Sequence, residues 1–383
     1  MTVNVLHVIS GGETGGSRKH VVTLLSKFAP GTATLVVFQD GPLAAEARQA
    51  GIDVRLLTQS SRYDLSVLSK LVALIRHERF DLLHTHGPRA NLYGALIKRN
   101  ITIPWMTTVH SDPRLDFMKS GWKGKWFTRL NVWALRKVDY FFAVSERFKE
   151  SLVELGIAAE RIQTIYNGID FDDAPRPHTL RRADLGLREE DLVIAMVARL
   201  HPIKGHALVF DALASLSDPD MKLLVVGDGP LAAELREKAA QSGIGRQVQF
   251  LGFRRDVADI YALSDVALMA SYSESFPLAL LEAANERLPV ISTDVGGVRQ
   301  LIASSDMGWI VPVGDRAALA QAMREARSRK QELKTMGERL YEHASTHFSL
   351  QRLYEETVAT YERVLAIHRT RKKEFKRCEL DNR

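Results

Sequence analysis

The chain has 383 residues, 45% hydrophobic and 26% charged, long enough for two domains with separate cores. No apolar run reaches the roughly eighteen residues that a membrane span needs, and the single cysteine, Cys378, excludes a disulfide framework and fits a reducing cytoplasm. The formal charge of +6 is uneven, with +7 on residues 1–170, −4 on 171–345 and +3 on 346–383, so an anionic surface or partner is expected for the N-terminal part.

The N-terminus lacks a basic leader with a small-residue cleavage site and reads directly as a buried strand over residues 3–9, so export is not expected. Short apolar runs then alternate with longer amphipathic ones, the pattern of parallel sheets covered by helices. Strands are expected over 33–38, 54–57, 81–84, 105–109 and 140–144, and in a second series over 192–197, 222–226, 248–251, 265–270, 290–293 and 309–311. Dense turn chemistry at Asn167-Gly168-Ile169-Asp170 and in the polar segment 172–178 separates two α/β domains, 1–170 and 171–350. A basic helix follows over 351–383.

Open parallel sheets bind ligands beyond the carboxyl ends of their strands, so candidate residues are sought there. The first strand runs into Gly11-Gly12-Glu13-Thr14-Gly15-Gly16-Ser17 and then a helix. Gly15 and Gly16 either let the backbone approach a phosphate or merely turn the chain. His84 and His86 end one strand and His110 another; no third ligand stands at familiar zinc spacing, so no metal site is expected. Residues 117–140 gather Trp122, Lys123, Lys125, Trp126, Arg129 and Trp133, with Trp126, Leu130 and Trp133 at helical spacing. Such a stripe is either buried in a core or set against an anionic membrane, and the density of Lys, Arg and Trp favours the membrane.

In the second series, Arg199 and Lys204 follow a strand in Arg-Leu-His-Pro-Ile-Lys-Gly, where a guanidinium fork and a compact ammonium can reach one diphosphate. Phe253 and Arg254 follow another strand. Asp228 is a candidate cap for the next helix. Asp218-Pro219-Asp220 precedes a strand and reads as a surface turn, not a metal motif. Residues 271–286, SYSESFPLALLEAANE, place Glu274 on a loop and Glu282 in a helix expected over 278–287, with Pro277 near N1. The unpaired N–H groups of that helix start favour an anion.

Glu274-x7-Glu282 with Phe276-Pro277 after the first Glu, the Arg199…Lys204-Gly205 segment, His110 in Val-His-Ser-Asp and the early glycine loop together resemble the retaining glycosyltransferases of family 4, in the GT-B class. The resemblance covers nearly the whole chain. It implies two facing Rossmann-like domains with a cleft, the last helix packing back on the first domain. It implies metal-independent transfer of a sugar, with retention, from a nucleotide-sugar donor, a UDP-sugar in the first instance, to a hydroxyl of a saccharide acceptor. Arg199 and Lys204 would then stabilise the leaving diphosphate, and Glu274 and His110 would contact the sugar. Glu282 would hold the ribose, amides around Phe276, Pro277 and Leu278 the phosphate or sugar, and the segment of Phe253 and Arg254 the base. No cofactor beyond the substrate nucleotide-sugar is implied. With the tryptophan stripe, the expected place is the cytoplasmic membrane face, on a lipid-linked saccharide in envelope or exopolysaccharide synthesis, with no nucleic acid. The rival readings are a UDP-sugar 2-epimerase of the same fold and an inactive sugar-nucleotide-binding subunit.

Overall fold

A computed structural model describes residues 3–13, 16–59, 64–114, 121–172 and 177–381, with the backbone alone for 121–123, 373 and 375–381. They form two compact units, Met1–Asn167 with Leu350–Arg383, and Gly168–Ser349.

The first unit holds strands β1 (Val5–Ile9), β2 (Ala33–Val37), β3 (Asp53–Leu56), β4 (Leu82–His86), β5 (Trp105–Val109), β6 (Tyr140–Ala143) and β7 (Ile162–Thr164). All pair in parallel, in the spatial order β3-β2-β1-β4-β5-β6-β7. Its helices are α1 (Gly16–Leu25), α2 (Pro42–Gln49), α3 (Ser66–His77), α4 (Pro88–Ile97), α5 (Gly121–Leu135) and α6 (Glu146–Glu154), joined at the end of the chain by α14 (Leu350–Asp381). The second unit holds β8 (Leu192–Val197), β9 (Met221–Val226), β10 (Val248–Gly252), β11 (Val266–Met269), β12 (Val290–Thr293) and β13 (Gly308–Val311), again all parallel, in the order β10-β9-β8-β11-β12-β13. Its helices are α7 (His206–Leu216), α8 (Ala232–Gln241), α9 (Val257–Ala262), α10 (Leu278–Asn285), α11 (Val298–Leu301), α12 (Arg316–Ser328) and α13 (Leu333–His347).

Sheets covered on both faces need strands that are apolar on both, and β1, β2 and β11 are buried at every position. Each expected strand is present to within two residues. β7 departs from the sequence reading because three residues, Ile-Gln-Thr, are too short for alternation to register, and it pairs only with β6. α10 stops at Asn285, short of 287, because Arg287 takes a left-handed φ of 55° and Leu288 N–H turns back to the Ala283 carbonyl at 3.1 Å.

Strand alternation decides what lies under α14. Side chains two apart share a face, so Val5 and His7, Leu82, His84 and His86, and Met106, Thr108 and His110 point to one side of the first sheet. Leu353, Tyr361, Val364 and Leu365 of α14 bury against the apolar members of that set, with Tyr140 and Phe142. The polar members cluster toward the carboxyl ends.

Candidate active site

In each sheet the strand order reverses once, between β1 and β4 and between β8 and β11. At such a switch point neighbouring connections leave in opposite directions and open a crevice beyond the carboxyl ends. Arg199 and Lys204 follow β8, and Glu274 follows β11, so one crevice edge receives all three.

Lys204 binds Glu274 as an ion pair, each side chain only 20% and 15% exposed, and Ser271 Oγ donates to Glu274 Oε1 at 2.8 Å. The backbone locks the two loops together, Tyr272 N–H donating to the Ile203 carbonyl at 2.8 Å. Gly205 makes this approach possible: at φ 72° a Cβ would lie 2.0 Å from the Ala270 carbonyl oxygen. On the far side Gly296, at φ 53°, leaves no more room, its Cβ falling 2.2 Å from the Ser275 carbonyl oxygen. Thr293 Oγ1 donates to the Ser271 carbonyl at 2.7 Å. The loop carrying Glu274 is thus held from both flanks. Arg199 is exposed, and its side chain has no hydrogen-bond or ion-pair partner among the described residues.

Pro277 occupies the N-cap of α10, not N1, and Leu278 begins the helix. Phe276 is buried against Phe348, ring centroids 5.0 Å apart, so its side chain anchors the loop. Glu282 lies partly exposed on α10, and its charge adds to burial in raising the pKa of Tyr261, whose hydroxyl donates to the Ala279 carbonyl at 2.9 Å. Phe253 is 74% exposed, whereas Arg254 is paired with Asp256, Nε to Oδ1 at 2.8 Å. Asp228 does not cap α8, whose N-cap is Leu231 without a side-chain bond. Asp218-Pro219-Asp220 forms a turn gripped by Arg327 at 3.3 and 3.6 Å.

His206 opens α7 beside Lys204 and was not singled out by sequence. It is buried, neither ring nitrogen has a partner among the described residues, and burial and then Lys204 depress its pKa to about 4.

In the first unit, Gly15 lies outside the described residues and Gly16 starts α1 with open space where a Cβ would stand. The close approach falls instead on Gly11, at φ 99°, and Gly12, whose Cβ atoms would meet Gln39 at 2.5 and 2.3 Å. Glu13 closes this loop by accepting the Ser10 and Gly11 N–H groups at 3.2 and 2.7 Å, and burial raises its pKa. Beside it Glu13, Phe38, Gln39, Gln59 and Arg89 line a cavity of about 510 Å³. Arg89 is held by Gln59 and lies over the Phe38 ring at 5.6 Å.

His110, itself half-buried, ends a run of buried imidazoles. Its Nε2 meets His86 Nδ1 at 3.2 Å, His86 Nε2 meets His7 Nδ1 at 3.0 Å, and His7 Nε2 meets the Tyr361 hydroxyl at 3.4 Å. The same hydroxyl lies 2.5 Å from His84 Nδ1, whose Nε2 meets Thr108 Oγ1 at 2.8 Å. Burial holds His7, His84, His86 and His110 well below the ordinary imidazole pKa, so the run is neutral. His7 supplies the third imidazole that sequence spacing could not show: His7, His84 and His86 each offer a nitrogen within 4.8 Å of the others. Those nitrogens already serve the hydrogen-bonded run.

On α5, Trp126 and Trp133 are 65% and 41% exposed, while Gly124, Asn131, Ala134 and Leu135 form the buried face. The tryptophan stripe is therefore not core. Lys125 and Arg129 are exposed beside it; the side chains of Trp122 and Lys123 lie outside the described residues. Among the described residues no helix is long and apolar enough to cross a membrane.

Comparison with known proteins identifies the family and the fold. Residues 178–343 match the family described as glycosyl transferases group 1, and residues 14–173 match glycosyltransferase family 4. The chain is 30% identical over 306 residues to a D-inositol 3-phosphate glycosyltransferase of Mycobacterium sp. (strain KMS), covering 76% of this chain and 68% of that protein. It is 29% identical over 316 residues to the N-acetyl-alpha-D-glucosaminyl L-malate synthase of Bacillus anthracis, 79% and 80% covered. The UDP-Gal:alpha-D-GlcNAc-diphosphoundecaprenol alpha-1,3-galactosyltransferase of Escherichia coli is 27% identical over 274 residues, 68% and 70% covered. Among solved structures, Anabaena HepE in complex with UDP shares the fold with a TM-score of 0.83 at 23% identity, over 94% of this chain and 100% of that one.

Proposed function

This chain belongs to the group 1 glycosyltransferases of the family 4 type, with the GT-B fold, and on that premise we propose that it transfers a sugar with retention from a UDP-sugar to a hydroxyl of a lipid-linked saccharide. The observation that carries the reading is the convergence of Arg199, Lys204 and Glu274 at the β8/β11 switch point, beside the start of α10.

The acceptor oxygen attacks the anomeric carbon on the face from which the diphosphate leaves. The bond from that carbon to the phosphate oxygen breaks, and the acceptor proton passes to the departing phosphate. Arg199 and Lys204 place fixed positive charge where negative charge grows, which stabilises the transition state more than the ground state. Glu274 exchanges its bond to Lys204 for sugar hydroxyls, and Glu282 accepts from the ribose diol. The amides of Phe276 and Leu278 face the phosphate. No carboxylate nucleophile and no metal is needed for this route.

UDP bound to the Anabaena protein and the diphosphoundecaprenol acceptor in the name of the Escherichia coli relative support these substrate classes. The exposed tryptophans of α5 support a peripheral place on the inner membrane face during envelope or exopolysaccharide synthesis. The test is nucleotide release from UDP-, GDP- and ADP-sugars, followed by NMR of the product with the best donor. Release from a UDP-sugar with the donor's anomeric configuration kept is expected. No release from any donor, or an inverted product, overturns the reading.

A further inference from the structure

The amino ends of β5, β6 and β7 carry a feature that glycosyl transfer does not use. There the end of α4, the end of α5, the start of β7 and the middle of α14 enclose a groove of about 860 Å³. Lys98, Arg99, Arg136, Lys137, Arg161 and Arg371 line it, against the single carboxylate of Asp139.

That carboxylate is already committed, to Lys98 and to the Trp105 N–H at 2.7 Å. Arg161 is committed to main-chain carbonyls, its Nε donating to that of Asp139 at 3.1 Å. Lys137 sits over the Trp133 ring at 6.0 Å. Arg99, Arg136 and Arg371 are exposed, and their side chains have no hydrogen-bond or ion-pair partner among the described residues. Three guanidinium groups thus line one concavity with no carboxylate among the described residues to offset them, and a phosphate-bearing anion is the complementary chemistry. The groove adjoins the exposed stripe of α5: Trp126 and Trp133 are seven residues apart, two helical turns and roughly 10 Å along one face, and Trp133 is itself a wall of the groove. An amphipathic aromatic stripe ending in a cationic hollow matches a bilayer interface, with indoles at headgroup depth and phosphates beside them.

We propose that this groove is a headgroup site for anionic phospholipid, and that it, more than the lysines along α5, gives the membrane contact its charge preference. The inference rests on the peripheral-membrane reading but not on the catalytic one. The groove lies at the opposite end of the strands from the glycine turns and His110, a strand length of roughly 16 Å away. An anionic headgroup held there leaves the carboxyl-end crevice of the same sheet open.

The experiment compares the full chain with Arg99→Ser/Arg136→Ser/Arg371→Ser in sedimentation with phosphatidylcholine vesicles, with and without phosphatidylglycerol, over a salt series. Nucleotide release from the donor sugar in free solution is measured alongside. Wild type should bind the phosphatidylglycerol vesicles and lose binding as salt rises, and the triple variant should bind on the order of a hundredfold more weakly, since each charge near an anionic leaflet is worth severalfold. Nucleotide release in solution should be the same for both. Inositol hexakisphosphate serves as a soluble probe and should compete with the vesicles. Unchanged vesicle binding by the triple variant, or tight binding of the soluble probe without any vesicle binding, overturns the proposal. Absence of nucleotide release from both proteins would count against the transferase reading and leave the groove result standing.

Discussion

The Lys204 ammonium is bound by the Glu274 carboxylate, joining two loops 70 residues apart in the chain at the point where the second sheet reverses direction. The pair keeps a cation and a carboxylate poised and mostly shielded from solvent, so each is oriented before a ligand arrives. Lys204→Ala and Glu274→Gln should each lower turnover about a hundredfold or more, because charge placed at a leaving group contributes several kcal/mol to the barrier. Circular dichroism should be unchanged in both. Near-normal transfer by either folded variant would remove them from the chemistry.

Gly205→Ala should damage stability and activity together. Its φ of 72° disfavours any side chain, and the new methyl would stand 2.0 Å from a carbonyl oxygen that cannot move without unlacing Tyr272 from Ile203. Left-handed strain alone costs roughly 1 to 3 kcal/mol, and the clash adds to it. A denaturation midpoint equal to that of wild type would show that the two loops are not rigidly joined.

Acidification should destabilise the protein well above the pH at which carboxylates protonate. Burial lowers the pKa of His7 from 6.5 to about 3, and those of His20 and His206 from 6.5 to about 4. Above about 6.5 these histidines are neutral in both folded and unfolded chains and the full stability is present. As pH falls from there toward the folded values, only the unfolded chain takes up the protons, and stability declines by up to about 1.4 kcal/mol per pH unit for each histidine. Melting temperatures should hold nearly level from pH 7.5 to about 6.5 and fall from there to pH 5, and His206→Leu should shallow the slope. A flat profile would mean that these imidazoles are solvated.

Chelation should leave transfer intact. In the proposed mechanism Arg199 and Lys204 supply the charge that a divalent cation would otherwise bring to the diphosphate, and the nitrogens of His7, His84 and His86 are spent on one another, on His110, on Tyr361 and on Thr108. Rates measured after dialysis against EDTA should match untreated enzyme, and a Mg²⁺ or Mn²⁺ requirement in the chemical step would contradict this.

The division between what sequence disclosed and what it withheld follows from the range of the interactions. Arg199, Lys204, Glu274 and Glu282 stand in short local patterns, each at a strand end or helix start that periodicity locates, so their positions were readable. Their partnerships were not, because Lys204 meets Glu274 only through the order in which β8 and β11 pair. His7 sits inside an apolar run that reads as core, and its neighbours His84 and Tyr361 come from 77 and 354 residues away. Glu13, Gln39, Gln59 and Arg89 share a cavity but no motif. For α5 the helical spacing of Trp126 and Trp133 is the same whether the stripe is buried or exposed, and only packing on the opposite face decided it.

The return of α14 to the first unit makes that unit discontinuous in the chain, with residues 168–349 inserted within it. Translation therefore delivers the second unit whole before the first has received its closing helix. At typical elongation rates the interval from residue 167 to residue 350 lasts roughly 10 to 40 s. Throughout it Leu82, Met106 and Phe142 lack the cover of Leu353, Tyr361 and Val364, and the imidazole run lacks the hydroxyl that joins His7 to His84. A nascent chain in that interval presents an unfinished apolar face, and a stop codon anywhere before residue 361 would make the condition permanent.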